Sequence, residues 1–488
     1  MGDAMKKTAF IINVFIMTGS MLIIRLAGMI SNIYISAKAG AEAMGLYHVI
    51  FSVYAFAITV SVSGTGLAAT RLVSEGKSNE ADVVKKCLFS AAVTSAVAAG
   101  VMFFAADKIS HGLICDVRSA AALKMLSVSL PAIAASSVIR GYLIAKRRAA
   151  PLTVSQIAEE FSAIFITLFA LKKYAGTPYA YMCMIAGSTV SEFLALGIDA
   201  FSLFALLSKR TVKKAGASMK DVLGICVPVA LGSYLRSGLV ALENVTVPLM
   251  LGRSGIAEPL GEYGLIRGMA MQIMLFPTVF IQSFSSMLVP EMSEMNAAGR
   301  KNGIRYVASL AVKAALVFAF AASAVFFKYH DELAVAMYKN VRVGVYLGML
   351  SLLAVPMYLD TVVDSMLKGL NMQMSNLRFN IADSVLRVAA VWLFLPRFGI
   401  LAYIVLLYAS EIFNLSLSLG KLICVSHLKI NPFECIILPA ACGAAALWIA
   451  DFVNFKGLAA QVLIFAAAYV AITAAFGKIF KDCTSDTV

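Results

Sequence analysis

Charged side chains interrupt the long apolar stretches of this 488-residue chain at only a few positions. Arg25 follows Ile23 and Ile24 in the first stretch, and Arg236 lies in the seventh. A charge at membrane depth costs about 3 kcal/mol unless it is paired or hydrated, so each must face a cavity, a partner or a polar ligand. Guanidinium groups donate a planar fork of hydrogen bonds that matches phosphate oxygens. We therefore predict that Arg25 and Arg236 bind an anionic group.

Acidic residues also recur at spacings that place them on one face of a helix. Such stripes either pair with neighbouring helices or line a cavity, and the spacing alone leaves both readings open. We predict that Asp360, Asp364 and Glu192 couple ion movement to transport. The four stripes are Arg236 with Glu243, Asn380 with Asp383 and Arg387, Asp360 with Asp364 and Lys368, and Glu192 with Asp199.

The elements that must position these residues are membrane-spanning helices. Hydrophobic residues make up 60% of the chain and charged residues 14%, with a mean hydropathy of +0.85, so much of the surface must face lipid. A stretch of 18 or more apolar residues can cross a hydrocarbon core of about 30 Å as a helix. We predict an all-α integral membrane protein with about fourteen spans. They lie near 8–37, 43–73, 83–106, 119–145, 151–171, 178–208, 219–250, 261–290, 303–327, 343–367, 375–395, 398–420, 433–450 and 457–477.

The distribution of basic residues predicts the orientation of these spans. Lys6 and Lys7 precede a first stretch that is too long for a signal-peptide core. With both termini placed in the cytoplasm, the inner segments carry more lysines and arginines than the outer ones, as the positive-inside rule requires. The net charge of +14 then reflects membrane orientation and attraction to anionic lipid, and no nucleic-acid partner is needed.

A weak internal repeat divides the chain. Gly45 and Gly264 share an offset of 219 with Glu75 and Glu294 (264 − 45 and 294 − 75). Related halves that pack face to face form a central site in many transporters. We predict an N-lobe, a basic cytoplasmic linker, a C-lobe, and two final helices with a cytoplasmic tail, at 1–208, 209–220, 221–424 and 425–488.

The sequence lacks the motifs of nucleotide-binding and metal-binding sites. The sequence contains no phosphate-binding loop of the G-x-x-x-x-G-K-S/T type, which argues against direct ATP coupling. The eight cysteines are scattered without metal-ligand spacing. We expect no catalytic residue, no cofactor and no metal beyond a coupling ion, Na⁺ or H⁺.

Ordered motifs over residues 20 to 420 carry a resemblance to a known family. The matching segments are Arg25 to Ile30, Gly45 to Tyr47, Phe51 to Tyr54, Leu72 to Glu75, Leu130-Pro131, Arg140 to Tyr142, Pro151 to Glu159, Pro228 to Ser233 with Glu243, Phe276 to Thr278, Leu288 to Glu294, Lys368 to Gln373, Asn380, Asp383, and Leu395 to Ile400. With these segments the chain resembles the stage V sporulation protein B family of polysaccharide and lipid II flippases.

This resemblance implies both a fold and a cargo. The fold is that of the multidrug and polysaccharide-lipid exporter superfamily, with two six-helix lobes in a V and two extra C-terminal helices. The cargo is lipid II or another polyprenyl-diphosphate-linked saccharide, moved from the inner to the outer leaflet by alternating access. Arg140, in a family motif, joins Arg25 and Arg236 as a substrate-binding residue. Asn32 is also predicted to bind substrate, and Ser31-Asn32 stands where some members have an Arg-Asp pair.

The resemblance also implies a coupling site and a location. Some relatives bind sodium between the seventh, eleventh and twelfth helices, where this chain offers Glu243, Asn380 and Asp383. We expect a monomer in the bacterial cytoplasmic membrane, driven by the membrane potential or a cation gradient. Cell-wall synthases are its expected protein partners.

Three alternatives remain. A cation-coupled multidrug exporter shares the fold, although the first stretch has no acidic residue between Thr8 and Ile35. A membrane glycosyltransferase would need catalytic carboxylates in a large outer loop, and the outer loops are short. A structural scaffold would not explain the buried charge stripes. We therefore predict a transporter and not an enzyme.

Overall fold

The computed structural model describes most of the chain. It covers residues 19, 23–62, 64–75, 79–146, 148–174, 177, 179–207, 218–428, 431, 433–453 and 457–484. Lys6, Lys7, the start of the predicted first span and most of the predicted linker at 209–220 lie outside this part.

The described residues form helices joined by short turns, with no strand among them, so the prediction of an all-α protein is confirmed. The helices are α1 at 23–39, α2 Ala41–Val62, α3 Thr65–Glu75, α4 Glu80–Ile109, α5 Ser119–Ala145, α6 Ala149–Tyr174, α7 Ala180–Leu207, α8 Met219–Arg253, α9 Pro259–Tyr263, α10 Met271–Leu275, α11 Thr278–Ala297, α12 Lys301–Lys328, α13 His330–Tyr338, α14 Val341–Leu350, α15 Ala354–Gly369, α16 Gln373–Ser426, α17 Leu438–Val453 and α18 Leu458–Thr484. Wider turns at Ser110–Ile114, Gly264–Ala270 and Phe433–Ile437 and a tighter one at Ser351–Leu353 extend some of them.

Eleven helical segments of the described chain are long and apolar enough to cross a membrane, or twelve when a bent pair counts as one span. That pair, Pro259–Leu275 and Thr278–Ala297, bends by 58° at Pro277. The 54 residues of α16 would extend about 80 Å, far beyond the roughly 30 Å of a hydrocarbon core. Gly399 breaks α16 with φ 59° and ψ −138°, which leaves two segments of spanning length. The exact number of fourteen spans stays a prediction.

Contacts divide the chain into two compact units. The first comprises Met1–Gly264 with Ser384–Gly399, and the second comprises Leu265–Asp383 with Ile400–Val488. These units are discontinuous in sequence, whereas the predicted lobes are continuous segments. The lobe boundaries stay a prediction.

The core of the first unit lies where α3, α4, α5 and α8 meet. Small residues let these helices approach closely, as interfaces in membranes require. A Cβ atom at Gly141 of α5 would lie 2.2 Å from the carbonyl oxygen of Gly66 in α3, so only glycine fits there. Cys87 and Cys226 are buried in the same cluster, where they pack as small apolar residues.

The second unit packs its last two helices against α12. Cys442, Phe465 and Tyr469 belong to the buried cluster that joins α17 and α18. The Tyr469 hydroxyl donates to the carbonyl oxygen of Val317 in α12 at 2.9 Å. Tyr469 therefore fixes the final helix on the rest of its unit.

Two glycines of the predicted repeat, Gly45 and Gly264, meet where α2 packs against α9 and the first residue after it. A Cβ atom on Gly45 would lie 1.9 Å from the carbonyl oxygen of Leu260, and one on Gly264 would lie 1.9 Å from that of Ala41. The offset of 219 relates Gly45 to Gly264 and also Ala41 to Leu260 (260 − 41). An exchange in which residue i meets the equivalent of j and residue j meets the equivalent of i is what a two-fold axis between the two segments would produce.

Candidate functional site

A network of charged side chains joins three helices of the first unit. Arg140 of α5 donates through Nε to Asp199 of α7 at 2.9 Å and through Nη2 to Glu159 of α6 at 2.5 Å. Ser155 of α6 lies 3.3 Å from the same Nη2. Asp199 has no exposed surface, so Arg140 supplies the positive charge that its burial requires.

Close helix packing positions this network. Gly187 of α7 lies against α6, where an added Cβ atom would come within 2.1 Å of the Thr167 hydroxyl oxygen and 2.8 Å of the Ala163 carbonyl oxygen. On α5, Arg140 directly precedes Gly141, the residue that packs on α3. Gly187 thus holds α6 and α7, which carry the two carboxylates, close to each other, while Gly141 fixes α5 against α3.

Two cavities of the first unit adjoin this network, and Glu159 and Glu192 line both of them. The larger has a volume of about 790 Å³ and combines an apolar wall with Arg140, Gln156 and the two glutamates. The smaller has a volume of about 310 Å³ and is lined by polar residues of α1, α2, α6 and α7. Its polar lining residues are Ser31, Asn32, Tyr47, Glu159, Glu160, Thr167, Ser188, Ser191 and Glu192.

The structure therefore brings Asn32 and Glu192 together at the smaller cavity. The Asn32 side-chain oxygen accepts a hydrogen bond from Ser36 at 3.0 Å, so its amide group is partly engaged within α1. Glu160 approaches α1 at Gly28, where an added Cβ atom would meet its carboxylate oxygen at 2.4 Å. Small and polar residues of α1 thus form one wall of an acidic chamber.

The charge balance of these cavities disfavours an anionic ligand. Arg140 is the one basic residue among the residues that line them, and Glu159 and Asp199 already neutralise it. Glu160 and Glu192 add further carboxyl groups without a basic partner among the lining residues. The prediction that Arg140 contacts an anionic substrate stays a prediction, and its pairing argues against that role.

The other two predicted arginines have a different environment. Arg25 on α1 and Arg236 on α8 are exposed, and within the described part of the chain neither forms an ion pair or a hydrogen bond. On α8 the neighbouring Ser237 accepts a hydrogen bond from Thr59 of α2 at 3.0 Å, which fixes the helix without using the arginine. Both guanidinium groups are therefore available to an anion.

Glu243, one of the three predicted cation ligands, is held by an arginine. Its Oε2 lies 3.1 Å from Nε of Arg387, and its side chain is only 1% exposed. Helical spacing had placed Arg387 on the stripe with Asn380 and Asp383 and did not indicate this partner. A cation at Glu243 would have to share the carboxylate with Arg387.

Asn380 and Asp383 belong to the second unit. Asn380 donates to the carbonyl oxygen of Asn376 at 2.9 Å, and Ser410 donates to Asp383 at 2.6 Å. Among the described residues, no group of three or more histidine, cysteine or acidic side chains is arranged to hold a metal ion. The sodium site at Glu243, Asn380 and Asp383 stays a prediction.

Asp360 and Asp364 lie on α15, where the second half of α16 supplies a partner that the sequence analysis missed. Asn414 donates to Asp360 Oδ2 at 2.9 Å. Glu159 and Glu160 also line the cavities but were not predicted as site residues from the sequence. The available signal was polar residues at helical spacing inside apolar stretches, namely Ser155 with Glu159 and Glu411 with Asn414 and Ser418.

Long apolar helices with buried ion pairs and polar chambers define a multi-span membrane transporter, and the comparisons assign its family. Residues 10–296, more than half of the chain, match the family model "Polysaccharide biosynthesis protein", so the chain belongs to this family. Stage V sporulation protein B of Bacillus subtilis (strain 168) is 22% identical over 507 residues, covering 98% of this chain and 97% of the relative.

Solved structures show the same fold. The inward closed conformation of the lipid II flippase MurJ matches with a TM-score of 0.74 at 13% identity and covers 95% of this chain and 99% of that one. An inward-facing multidrug resistance MATE family transporter of the MOP superfamily matches with a TM-score of 0.63 at 14% identity and covers 83% and 96%. The predicted fold class and the family resemblance are thus confirmed. These relatives are transporters and flippases, in agreement with the prediction that the chain is not an enzyme.

Proposed function

We propose that this protein is a flippase that moves a lipid-linked saccharide from the inner to the outer leaflet of the bacterial cytoplasmic membrane. The cargo is lipid II or another polyprenyl-diphosphate oligosaccharide, and both termini of the chain face the cytoplasm. The family match and the fold shared with a lipid II flippase support this class of substrate. Alternating access of two related halves provides the mechanism.

The observation that carries the proposal is the state of Arg25 and Arg236. A guanidinium group in an apolar helix costs about 3 kcal/mol unless something neutralises it, and both side chains are exposed without an ion pair in the described residues. A diphosphate offers several acceptor oxygens and the opposite charge. Bidentate hydrogen bonds from the two arginines would hold the head group while the lipid tail stays in the membrane.

The membrane potential supplies the driving force in this proposal. Each negative charge that leaves a negative-inside cell gains about 2.3 kcal/mol per 100 mV. A returning Na⁺ or H⁺ then resets the carrier, for which the sequence indicates Glu243, Asn380 and Asp383, with Asp360, Asp364 and Glu192 as further coupling charges. The ion pair between Glu243 and Arg387 gives such a site a group that can exchange partners.

The chambers in the first unit favour a second candidate function. Glu159, Glu160 and Glu192 give their linings an excess of negative charge, which suits a cationic amphipathic compound better than a diphosphate. A cation-coupled multidrug exporter would use these carboxylates for its substrate or for protons. The fold shared with a multidrug resistance transporter is compatible with this candidate.

Proteoliposomes with fluorescent lipid II distinguish the two functions. Leaflet translocation is measured for the wild type, for Arg25→Ala and Arg236→Ala, and for Arg71→Ala as a matched control. Arg71 is 65% exposed and pairs with Glu75 one turn away, so its loss removes a positive charge without touching the proposed site. We expect wild-type and control protein to flip the lipid and each of the other variants to flip it at least about tenfold more slowly, because a charge-assisted contact is lost.

The opposite result has a clear meaning. Absence of flipping by the folded wild type, together with ion-driven efflux of a cationic dye, would refute the flippase and support the exporter. Flipping at the wild-type rate by both Arg25→Ala and Arg236→Ala would show that the proposed head-group contacts are wrong.

A further inference from the structure

The smaller cavity of the first unit adjoins the face of α1 that carries Arg25. Gly28 and Asn32 line this cavity, three and seven residues after Arg25. Residues at these spacings share one face of a helix. With a rise of about 1.5 Å per residue, Arg25 lies about 5 Å from Gly28 and about 10 Å from Asn32 along the axis of α1. A head group bound at Arg25 therefore places the chemical group that follows it beside the cavity.

Polar side chains of the cavity lining have no partner within the described part of the chain. Glu160 of α6 and Glu192 of α7 form no ion pair or hydrogen bond there, and the hydroxyl groups of Tyr47 and Thr167 form no hydrogen bond. Thr167 is only 4% exposed. Buried polar groups are hydrogen-bonded in nearly all native structures. These side chains therefore indicate a ligand that bonds to both carboxyl and hydroxyl groups.

The size and the lining of the cavity favour an organic ligand over a metal ion. Its volume of about 310 Å³ falls within the range of small-molecule sites, roughly 300–1,000 Å³. Among the described residues, no three acidic, histidine or cysteine side chains are arranged to hold a metal ion. Carboxyl groups that line a cavity without a basic residue complement a cationic group, and hydroxyl groups beside them match those of a sugar.

Aromatic rings in the same wall favour an ammonium group as the cation. Tyr47 and Phe51 of α2 line the cavity, and their rings stack with centroids 5.4 Å apart. The face of an aromatic ring attracts a cation within about 6 Å of its centroid. A primary ammonium group also has three N–H donors, so it can bond to a carboxyl group and to a hydroxyl group at the same time.

We propose that the smaller cavity binds an ammonium group on the saccharide whose diphosphate Arg25 holds. This inference rests on the proposed function and narrows its cargo to saccharides with a free amine close to the diphosphate. Glu160 and Glu192 accept hydrogen bonds from the ammonium group, and Thr167 bonds to a sugar hydroxyl. A cargo with both charges explains why one unit carries an arginine beside a cavity lined by carboxyl groups.

Isothermal titration calorimetry of the purified full-length chain at pH 7 compares two ligands that differ in one group. They are farnesyl-diphosphate-linked glucosamine, which has a free amine, and its N-acetyl form, whose amide is uncharged. We expect the wild type to bind the amine about tenfold more tightly or better, because acetylation removes charge-assisted hydrogen bonds. This comparison requires no variant, so a variant that does not fold leaves it decisive.

Matched variants locate the ammonium group. Glu160→Gln and Glu192→Gln replace a carboxyl group by an amide of the same size, and we expect each to reduce the preference severalfold and the double variant to abolish it. Glu42→Gln makes the same change at a side chain that is 61% exposed and does not line the cavity, so it should keep the wild-type preference. Arg25→Ala should weaken both ligands equally, because they share the diphosphate.

The outcomes separate this inference from the proposed function. Equal wild-type affinity for the two ligands overturns the inference, and the proposed function stands if Arg25→Ala weakens both. A preference that survives in the double variant places the ammonium group elsewhere and also overturns the inference. If the wild type binds neither ligand nor farnesyl diphosphate, both fail. Binding of dodecylamine through Glu160 and Glu192, without binding of any diphosphate, would then support the exporter.

Discussion

The reciprocal glycine contact between α2 and α9 should tolerate no side chain. Replacing Gly45 with alanine adds one methyl group, and the structure leaves no room for it. The new Cβ atom would lie 1.9 Å from the carbonyl oxygen of Leu260 and 3.2 Å from the backbone nitrogen of Gly264. Because the nearest atom belongs to backbone, a side-chain rotation cannot relieve the clash.

The required movement sets the magnitude. Real Cβ atoms essentially never approach another heavy atom within 3.0 Å, so the two helices must separate by about 1 Å (3.0 − 1.9). Overpacking of this kind destabilises by about 1–3 kcal/mol. The higher helix propensity of alanine offsets at most about 1 kcal/mol of this loss in stability. We therefore expect Gly45→Ala to lower the free energy of unfolding by up to about 2 kcal/mol, and by about 1–3 kcal/mol relative to the same substitution at an unobstructed helix position.

Thermal unfolding of the detergent-purified chain measures the effect. Gly264→Ala should destabilise the protein to a similar extent, because its Cβ atom would lie 1.9 Å from the Ala41 carbonyl oxygen. The double variant should lose less than the sum of the two, since one separation of the helices relieves both clashes. Gly100→Ala, inside α4 with no atom within 4 Å of the added carbon, is the control and should be neutral or stabilising.

Two outcomes would refute the reasoning. If Gly45→Ala and Gly264→Ala unfold at the same temperature as Gly100→Ala, the close approach of α2 and α9 is wrong. If only one of them is destabilised, the two contacts are not related by the internal two-fold.

Two further predictions concern charged groups of the first unit. Arg140→Ala leaves the fully buried Asp199 without its counter-ion and should lower the unfolding free energy by about 3–5 kcal/mol, whereas adding Asp199→Asn should recover part of the loss in a double-mutant cycle by thermal unfolding. In the turn before α5, burial alone would raise the pKa of Asp116, but hydrogen bonds and charge from Arg118 lower it below its usual value. A carboxyl group with a lowered pKa stabilises the fold above its unfolded pKa of about 3.9 and loses this contribution as the pH falls through the folded pKa. Stability of the wild type should therefore fall more steeply below about pH 4 than that of Asp116→Asn, and parallel profiles would contradict this.

The apolar stretches predict most helices because lipid offers the backbone no hydrogen bonds, so a long apolar segment must satisfy its own. The predicted stretches at 83–106 and 303–327 lie inside Glu80–Ile109 and Lys301–Lys328. Pro277 inside a span permits a bend, but neither its 58° angle nor the break of α16 at Gly399 was predicted. Both depend on how neighbouring helices support the backbone at a break, which hydropathy does not report.

The sequence by itself determined which charged residues lie within membrane-spanning segments. Helical spacing also shows which of them share one face of a helix. It singled out Arg25, Arg236 and the acidic stripes because an ionisable group in an apolar helix must be paired, hydrated or bound to a ligand. Only the tertiary structure decided the partners. Arg140 reaches Asp199 across 59 positions, and Glu243 pairs with Arg387 instead of standing free for a cation. Partners on different helices depend on which helices pack together, and that packing is a property of the whole fold.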